Sequence, residues 1–215
     1  MKAVRAEGNQ VTAQAGASLA AVAAAAAEAG LCGLEFASGI PGAVGGAVTM
    51  NAGAYDGEIA QVLTEAGGIL RDGTPVVLSR EELDFGYRHS AVEARGILLT
   101  EATFELTPGD PGAIRARMAE LNARRAEKQP LDQPSAGSTF RRPQGYFAAA
   151  LIDQCGLKGY RIGGAMVSTK HAGFLINNGD SSADFLALMN RVQQIVAERT
   201  GVKLEPEIRI LGEEA

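Results

Sequence analysis

Tryptophan is absent from this 215-residue sequence, and aromatic residues make up only 5% of it. Binding through an array of exposed aromatic rings is therefore not expected. Lysine and arginine are also scarce in the first third: Lys2 and Arg5 come early, and the other 18 of the 20 begin only at Arg71. A phosphate bound by the first third must rely on backbone N–H groups, whereas the last two thirds supply cationic side chains.

Long apolar runs and paired cysteines are missing as well. The Ala-rich stretch from Ala20 to Ala29 follows Glu7 and ends at Gly30, which indicates a helix rather than a signal peptide, and no other segment has the length of a membrane span. Cys32 and Cys155 form neither a CxxC pair nor a zinc spacing, so two inert thiols are expected, with a disulfide left open. The net charge of −5 argues against a nucleic-acid or membrane partner, and no spacing of Cys and His suits a metal ion. The lack of a targeting signal predicts a cytoplasmic protein.

Helix and strand signals alternate and predict an α+β chain of two lobes. Residues 1–10 show no period. Predicted helices run from Ser18 to Ala29, from Pro111 to Lys128, from Tyr146 to Cys155 and from Ser181–Ser182 to Gly201. Predicted strands cover residues 11–15, 62–70, 74–78, 96–106 and 202–211, and residues 129–137 are expected to form a loop. The change of composition near Pro108 predicts a domain boundary there.

Residues 38–55 are rich in glycine and carry no charged side chain: SGIPGAVGGAVTMNAGAY. Glycines remove side chains where the backbone has to approach a neighbour closely, and successive N–H groups can hold an anion such as a pyrophosphate. The spacing matches neither the GxGxxG fingerprint nor the P-loop. From the residues alone, a tight structural loop and a cofactor cradle therefore both stay open.

Three further stretches suit an acidic substrate, although each has a plainer explanation. Arg88 in FGYRHS can hold a carboxylate in bidentate fashion or lie on a surface loop. Ser138 in GSTFRRP can donate a proton or cap a turn. Glu205, Glu207 and Arg209 share one face of a predicted strand and can form a simple surface pair.

Basic and amide side chains are also spread over residues 158–177. This pattern suits a nucleotide diphosphate, and the residues that carry it are Lys158, Arg161, Lys170 and Asn177. The single His171 within this stretch is typical of a structural histidine rather than a catalytic one.

Taken together and in this order, the stretches are specific. The chain resembles the UDP-N-acetylenolpyruvoylglucosamine reductase family, flavoenzymes that complete UDP-N-acetylmuramic acid, over residues 4–213. The matching words are SGIPGAVGGAVTMNAGAY, FGYRHS, QPLDQPSAGSTFRRP, GLKGYRIGGAMVSTKHAGFLINNG and LEPEIRILG. The resemblance is to the shorter type of the family, which lacks an extra substrate-covering loop.

The resemblance implies an FAD-binding domain of the vanillyl-alcohol-oxidase type in two subdomains, followed by a substrate-binding domain. The family's initial subdomain has no counterpart before Met1. Residues 1–107 are therefore expected to form the second FAD-binding subdomain, and residues 108–215 a C-terminal α/β substrate-binding domain. Cofactor contacts are expected from Ser38, Gly39, Ile40, Pro41, Gly42, Gly45, Gly46, Asn51, Ala52, Gly53 and Tyr55.

The resemblance also implies a reaction in which NADPH reduces FAD, the flavin N5 gives a hydride to the enolpyruvyl double bond, and Ser138 delivers the proton. Arg88 matches the arginine that binds the substrate carboxylate. Glu207, with Glu205 as its rival, matches a carboxyl group that is protonated or shares a proton there, because two carboxyl groups in contact do not both ionise easily. Further substrate contacts are expected from Tyr87, Lys158, Arg161, Lys170, Asn177 and Arg209.

Two other hypotheses remain at this point. A module that binds a UDP-sugar without catalysis would need only the second domain. The sequence does not fix the oligomeric state of the protein, and a monomer is favoured. A flavin oxidoreductase with a different substrate would need the Gly-rich segment but not Arg88, Ser138 and Glu207 together. The reductase hypothesis requires these three side chains to meet in one cleft.

Overall fold

The computed structural model describes residues 1–212, and its contacts divide the chain into two compact units, Met1–Arg125 and the residues from Ala126 onward. Each unit has its own hydrophobic core. Helices and antiparallel strand pairs occur in both units, which confirms the predicted α+β class. The division falls inside the helix that follows Pro108, and the predicted domain boundary near that residue stays a prediction.

The first unit is built on a five-stranded antiparallel sheet in the order β1-β2-β8-β6-β7. Its strands are β1 (Val4–Glu7), β2 (Gln10–Gln14), β3 (Leu31–Cys32), β4 (Gly53–Ala54), β5 (Gly57–Glu58), β6 (Leu63–Ile69), β7 (Pro75–Ser79), β8 (Leu98–Glu105) and β9 (Thr107–Pro108). Its helices are α1 (Leu19–Glu28), α2 (Val44–Thr49), α3 (Ala91–Ala94) and α4 (Pro111–Lys128), with 3-10 turns at Glu35–Ala37 and Ile59–Gln61.

Helix α1 follows directly from its sequence. Alanine has the highest helix propensity, and the Ser18 hydroxyl caps the helix by accepting a hydrogen bond from the Ala21 N–H at 3.2 Å. The buried positions recur at the spacing of one helical face: Leu19, Val22, Ala23, Ala26 and Ala27. The small alanine side chains let this face pack closely on the core that strands β2 and β8 also line.

The β6–β7 hairpin is closed by the predicted turn at residues 71–73. Gly73 has φ +88°, and the Asp72 carboxylate accepts a hydrogen bond from the Thr74 N–H at 2.9 Å. The Gly73 N–H donates to the Leu70 carbonyl oxygen at 3.0 Å, so residues 71–73 form a three-residue hairpin loop with glycine in the left-handed position. The hairpin places β7 at the edge of the sheet and β6 between β7 and β8.

The second unit combines a four-stranded antiparallel sheet, in the order β10-β13-β12-β11, with two helices. The strands are β10 (Ser135–Ser138), β11 (Arg161–Ile162), β12 (Ala165–Val167) and β13 (Phe174–Asn177), and the helices are α5 (Ala148–Gln154) and α6 (Ser182–Thr200). Ser181 caps α6 as predicted, and Gly201 ends it in the left-handed conformation at φ +75°. Strand β13 is fully buried along most of its length, so it is central to this core.

Three predictions about elements are wrong. Strand β1 lies within the first ten residues, where no period was visible, because an edge strand with exposed side chains carries no hydrophobic pattern. Strand β10 begins at Ser135, inside the predicted loop. Among residues 202–211 no strand forms; Pro206, which has no N–H to donate, makes only an isolated bridge to Phe140.

Within residues 1–212, no helix combines the length and the apolar character that a membrane span requires. In the same range, no group of three or more His, Cys, Asp and Glu side chains could hold a metal ion. Cys32 and Cys155 are free thiols; Cys32 donates to the Thr107 carbonyl oxygen at 3.1 Å, and Cys155 is buried.

Candidate active site

The Gly-rich segment of residues 38–55 is held against the core by backbone hydrogen bonds. The first two amides of α2, those of Val44 and Gly45, donate to the carbonyl oxygens of Ala17 and Ala15 at 2.9 and 2.8 Å. Ile40 and Ala52 pack against the core of the same unit. These two α2 amides are therefore already used within the protein, and an anion would have to be bound by other groups of the segment.

The glycines of this segment fall into two groups. A Cβ atom added to Gly39 would collide with Asn122 of α4 and lie 3.2 Å from Arg125, and one added to Gly53 would lie 2.8 Å from the Gly57 carbonyl oxygen, so these two glycines permit close packing within the protein. Gly42 and Gly46, by contrast, are exposed and have nothing within 4 Å of an added Cβ. The backbone beside Gly42 and Gly46 is open in the way that a flat ligand such as a flavin requires.

Asn51 ties the Gly-rich segment to the loop of residues 85–90, which contains FGYRHS. Its side chain is only 2% exposed, its Nδ2 donates to the Gly86 carbonyl oxygen at 3.1 Å, and its Oδ1 accepts from the Ala60 N–H at 2.9 Å. The Ser90 hydroxyl adds a second tie by donating to the Thr49 carbonyl oxygen at 2.9 Å. Two motifs that are about 35 residues apart in the chain are thus held side by side.

Arg88 comes from this loop and reaches back across the Gly-rich segment. Its Nη2 donates to the Gly53 carbonyl oxygen at 3.3 Å, and its guanidinium lies 5.2 Å from the centre of the Tyr87 ring. Arg88 is half-buried, whereas Tyr87 is exposed. The structure therefore brings Arg88 and Tyr87 together with the predicted cofactor segment.

Backbone strain is concentrated in the same place. Among the described residues, five other than glycine have a positive φ between +40° and +67°: Asn51, Tyr55, Asp56, Asp84 and Arg88. Asparagine and aspartate tolerate this conformation, whereas for Tyr55 and Arg88 it costs about 1–2 kcal/mol, and strained residues of this kind cluster at functional sites. All five lie in the Gly-rich segment, in the loop with Arg88 or directly beside them.

Helix α4 supplies the other side of this region, which the sequence did not reveal. Asn122 lies 3.4 Å from the Ser38 hydroxyl, and the guanidinium groups of Arg124 and Arg125 lie 5.2 and 6.0 Å from the centre of the Tyr55 ring. Cationic side chains stacked on an aromatic ring fix its orientation. The only available signal was the Arg-rich composition of the helix, which is equally typical of a solvated helix face.

In the second unit, Ser138 and Glu207 lie on neighbouring segments. Ser138 is exposed at the end of β10, opposite Phe174 of β13, and the register of this strand pair shifts between Ser135 and Ser138. The next residue, Thr139, is fully buried, and its carbonyl oxygen accepts a hydrogen bond from the Glu207 N–H at 2.8 Å. Irregular strand pairs of this kind redirect side chains beside active sites.

Glu205 lies further along the same segment. Its carbonyl oxygen accepts a hydrogen bond from the Arg141 N–H at 2.9 Å, which places Glu205 opposite Arg141 rather than beside Ser138. Arg209, by contrast, is exposed beyond Glu207. The predicted convergence of Arg88 with Ser138 and Glu207 stays a prediction, because Arg88 belongs to the other compact unit.

Three of the four residues predicted to bind the uridine diphosphate already have partners in the second unit. Lys158 forms an ion pair with Asp153 at 2.8 Å. The Lys170 ammonium donates to the Ala126 carbonyl oxygen at 2.6 Å. The Asn177 amide donates to the Ser181 carbonyl oxygen at 3.0 Å and accepts from the Gly179 N–H at 3.2 Å, so it shapes the turn before α6. Arg161, the fourth, is exposed on β11.

A cleft of about 390 Å³ in the second unit concentrates positive charge elsewhere. It is lined by Arg141, Arg142, Pro143, Gln144, Tyr146, Val202, Lys203 and Glu205. The Arg142 guanidinium lies 4.5 Å from the centre of the Phe147 ring, and Tyr146 is 51% exposed. Three cations against one carboxylate suit an anionic ligand, and sequence reasoning had not assigned this group of residues to a site.

Comparisons with known proteins agree with these two regions. A family model described as "UDP-N-acetylenolpyruvoylglucosamine reductase, C-terminal domain" matches residues 129–211, and one described as "FAD binding domain" matches residues 1–79. A UDP-N-acetylenolpyruvoylglucosamine reductase from Agathobacter rectalis is 57% identical over 204 residues, which cover 94% of this chain and 65% of the relative. One from Limosilactobacillus fermentum is 54% identical over 216 residues, which cover 100% of this chain and 72% of the relative.

The chain belongs to the UDP-N-acetylenolpyruvoylglucosamine reductase family. The crystal structure of UDP-N-acetylenolpyruvylglucosamine reductase from Thermus caldophilus has a TM-score of 0.81 at 40% identity, covering 92% of this chain and 71% of that one. These findings confirm the family resemblance and the order of an FAD-binding domain before a C-terminal domain of this family. The chain spans 65% and 72% of the length of the two relatives.

Proposed function

We propose that this chain catalyses the NADPH-dependent, flavin-dependent reduction of the enolpyruvyl group of UDP-N-acetylenolpyruvoylglucosamine to UDP-N-acetylmuramate. The observation that carries the proposal is the pairing of residues 139–141, which directly follow Ser138, with residues 205–207 in a chain of this family. It places Glu207 directly across from the residue that follows Ser138.

Ser138 is the proton donor in this reaction. One carbon of the double bond receives a hydride, and the adjacent carbon receives the Ser138 proton. A serine hydroxyl is a weak acid, so the charge that develops must be stabilised by nearby donors or cations. Exposure of Ser138 at a strand end, with its neighbour Thr139 fully buried, supports this role because the hydroxyl is accessible while the backbone is fixed. Glu207 acts beside the substrate carboxyl group. Its backbone N–H is bonded to Thr139, the residue after Ser138, which supports this role for Glu207 rather than for Glu205.

The first unit provides the flavin site and the cation. We assign FAD contacts to the open side of the Gly-rich segment at Gly42 and Gly46, and when bound the flavin supplies the hydride that NADPH provides. Arg88 binds the substrate carboxylate. Its guanidinium has five N–H donors, so it can bind a carboxylate while it keeps its hydrogen bond to Gly53. The positive φ of Arg88, +52°, supports a functional reason for the strained backbone.

The cationic cleft in the second unit binds the diphosphate end of the nucleotide sugar. Arg141, Arg142 and Lys203 provide charge, and Tyr146 offers an exposed ring. Lys158, Lys170 and Asn177 remain candidates for further contacts with the nucleotide, in addition to the bonds that they make within the protein. We further propose that the protein is a monomer and acts in the cytoplasm, where free thiols such as those of Cys32 and Cys155 persist.

The test uses the purified chain, FAD, NADPH and the enolpyruvyl nucleotide sugar. The proposal predicts that the chain takes up FAD, that NADPH is consumed only when the nucleotide sugar is present, and that mass spectrometry shows the sugar gaining two hydrogens per NADPH. Consumption of NADPH with an unchanged nucleotide sugar would indicate a different oxidoreductase. Tight binding of the sugar by a colourless protein that stays colourless with FAD would indicate a binding module.

A further inference from the structure

The turn between β12 and β13 is organised by two side chains. Ser168, which is 2% exposed, accepts hydrogen bonds on its hydroxyl from the N–H groups of Lys170 and His171 at 3.2 and 3.3 Å. The His171 ring then folds back over the turn, where its Nδ1 accepts a hydrogen bond from the Gly173 N–H at 3.1 Å. The ring also packs edge-on against Phe174, with ring centres 4.9 Å apart. His171 is therefore fixed on two sides.

This turn is connected directly to Ser138. The Gly173 carbonyl oxygen accepts a hydrogen bond from the Thr139 N–H at 2.9 Å, and Phe174 is the register partner of Ser138. A Cβ atom added to Gly173 would lie 3.1 to 3.2 Å from the His171 ring and from Ala149, so the ring, the turn and α5 are in close contact. Two hydrogen bonds thus lead from the imidazole, through Gly173, to the residue that follows Ser138.

The hydrogen bond to Gly173 sets a requirement on the protonation of His171. Nδ1 can accept only when it carries no proton, so the ring must be the neutral tautomer with its hydrogen on Nε2. Burial of the ring lowers the pKa of His171 below its usual value; a hydrogen bond with the His171 backbone opposes this shift, and the nearby Lys158 ammonium, itself paired with Asp153, adds to it. Lys170 is the adjacent charge, and its ammonium is bonded to the Ala126 carbonyl oxygen.

We propose that His171 is a positioning residue for Ser138: its neutral imidazole holds Gly173, and through Gly173 the backbone beside the proton donor. This inference rests on the proposed function, in which Ser138 donates the proton. Protonation of Nδ1 turns an acceptor into a donor that faces the Gly173 N–H, which breaks the bond and releases the turn. The position of Ser138, and with it the transfer of the proton to the substrate, then depends on the protonation state of His171, which does not contact the substrate.

The activity test compares His171→Asn with His171→Leu in the flavin-loaded protein. Asparagine carries an acceptor oxygen as many bonds from the backbone as Nδ1 and does not titrate, whereas leucine has no acceptor. In single-turnover reactions near pH 8, we expect the leucine variant to reduce the nucleotide sugar about tenfold more slowly, the scale of one lost hydrogen bond, and the asparagine variant to stay within about twofold of the parent. Reduction of the flavin by NADPH is expected to stay unchanged in both variants.

The pH profile separates positioning from a purely structural role. Between about pH 8 and pH 5 the parent is expected to lose rate through one protonation that the asparagine variant lacks. Identical acid limbs in the parent and the asparagine variant, or a leucine variant with the full rate, would overturn the proposal.

A second readout needs no enzymatic activity. The chain contains only two histidines, so in protein labelled with ¹⁵N-histidine the His171 signals are those missing from the His171→Asn variant. The expected spectrum shows an unprotonated Nδ1 and a protonated Nε2 at neutral pH, with titration below the usual histidine range. A proton on Nδ1 at neutral pH would refute the positioning role even if the reductase activity is found. A correct tautomer without reductase activity would instead count against the proposed function.

Discussion

Replacing Asn51 by alanine is expected to destabilise the first unit and to release the loop that carries Arg88. The Asn51 side chain donates through Nδ2 to the Gly86 carbonyl oxygen at 3.1 Å and accepts on Oδ1 from the Ala60 N–H at 2.9 Å. Asparagine also tolerates its positive φ of +40° better than alanine does, because its short polar side chain suits the left-handed region. A single substitution therefore removes two hydrogen bonds and adds backbone strain.

The magnitude follows from these contacts. The Ala60 N–H becomes a buried donor without its partner, which costs about 1–3 kcal/mol, and the half-exposed Gly86 carbonyl costs less because water can replace the amide. Alanine in the left-handed region adds roughly 1 kcal/mol. The free energy of unfolding is therefore expected to fall by about 2–4 kcal/mol for Asn51→Ala.

Urea unfolding followed by circular dichroism measures this change, since the chain has no tryptophan for fluorescence. Asn9→Ala is a matched control in the same unit, because Asn9 is exposed, and it is expected to change stability by less than about 0.5 kcal/mol. Hydrogen exchange at residues 85–90 should rise in the Asn51 variant and not in the control. A loss below about 0.5 kcal/mol for Asn51→Ala, or unchanged exchange in the loop, would refute the idea that Asn51 organises this site.

Three further predictions concern the flavin segment, the cleft and the β6–β7 turn. Gly46→Ala is expected to raise stability by about 0.5–1 kcal/mol, because alanine favours the helix, while it weakens FAD binding in a spectroscopic titration; unchanged FAD binding would mean that the open backbone is not the flavin contact. Arg142→Ala should weaken UDP-sugar binding about tenfold by calorimetry, whereas Arg191→Ala, at an exposed position of α6, should not; equal binding by both would remove the cleft from the site. The hydrogen bond from the Thr74 N–H lowers the pKa of Asp72. The ionised Asp72 carboxylate therefore stabilises the fold above the ordinary aspartate pKa, and this stabilisation is lost as the pH falls through the lowered pKa. Asp72→Asn should lower the melting temperature near neutral pH but not in strong acid, and a difference in melting temperature that does not change with pH would contradict this.

Local signals predicted the elements whose stability is itself local. Helices α1 and α6 were predictable because Ser18, Ser181 and Gly201 mark their ends and their apolar residues repeat on one face. The segment of residues 202–211 alternates like a strand, yet its neighbours pair with it only around Pro206, so tertiary context overrode the pattern. Strand β1 was missed because its partner, not its own sequence, defines it.

The candidate site followed from sequence only as far as its motif residues. Arg88, Ser138 and Glu207 were identified from motif words, but the ties that hold them run through residues to which the sequence assigned other roles: Asn51 was expected to contact the cofactor, and His171 to be a structural histidine. Asn51 and His171 act through bonds to backbone groups, and no pattern of residue types announces such bonds. The contact between α4 and the Gly-rich segment joins residues that are 84 apart in the chain, at Ser38 and Asn122, which no local pattern can show.

Rapid mixing of the Ser138→Ala variant under anaerobic conditions separates the transfer of the hydride to the flavin from the transfer of the proton to the substrate. Because Ser138 supplies the proton, we expect NADPH to reduce the flavin at the parent rate in this variant, while reoxidation of the reduced flavin by the enolpyruvyl nucleotide sugar slows by about 10²- to 10⁴-fold, the usual contribution of a positioned acid. Equal loss of both steps, or reoxidation at the parent rate, would refute the role of Ser138 as the proton donor.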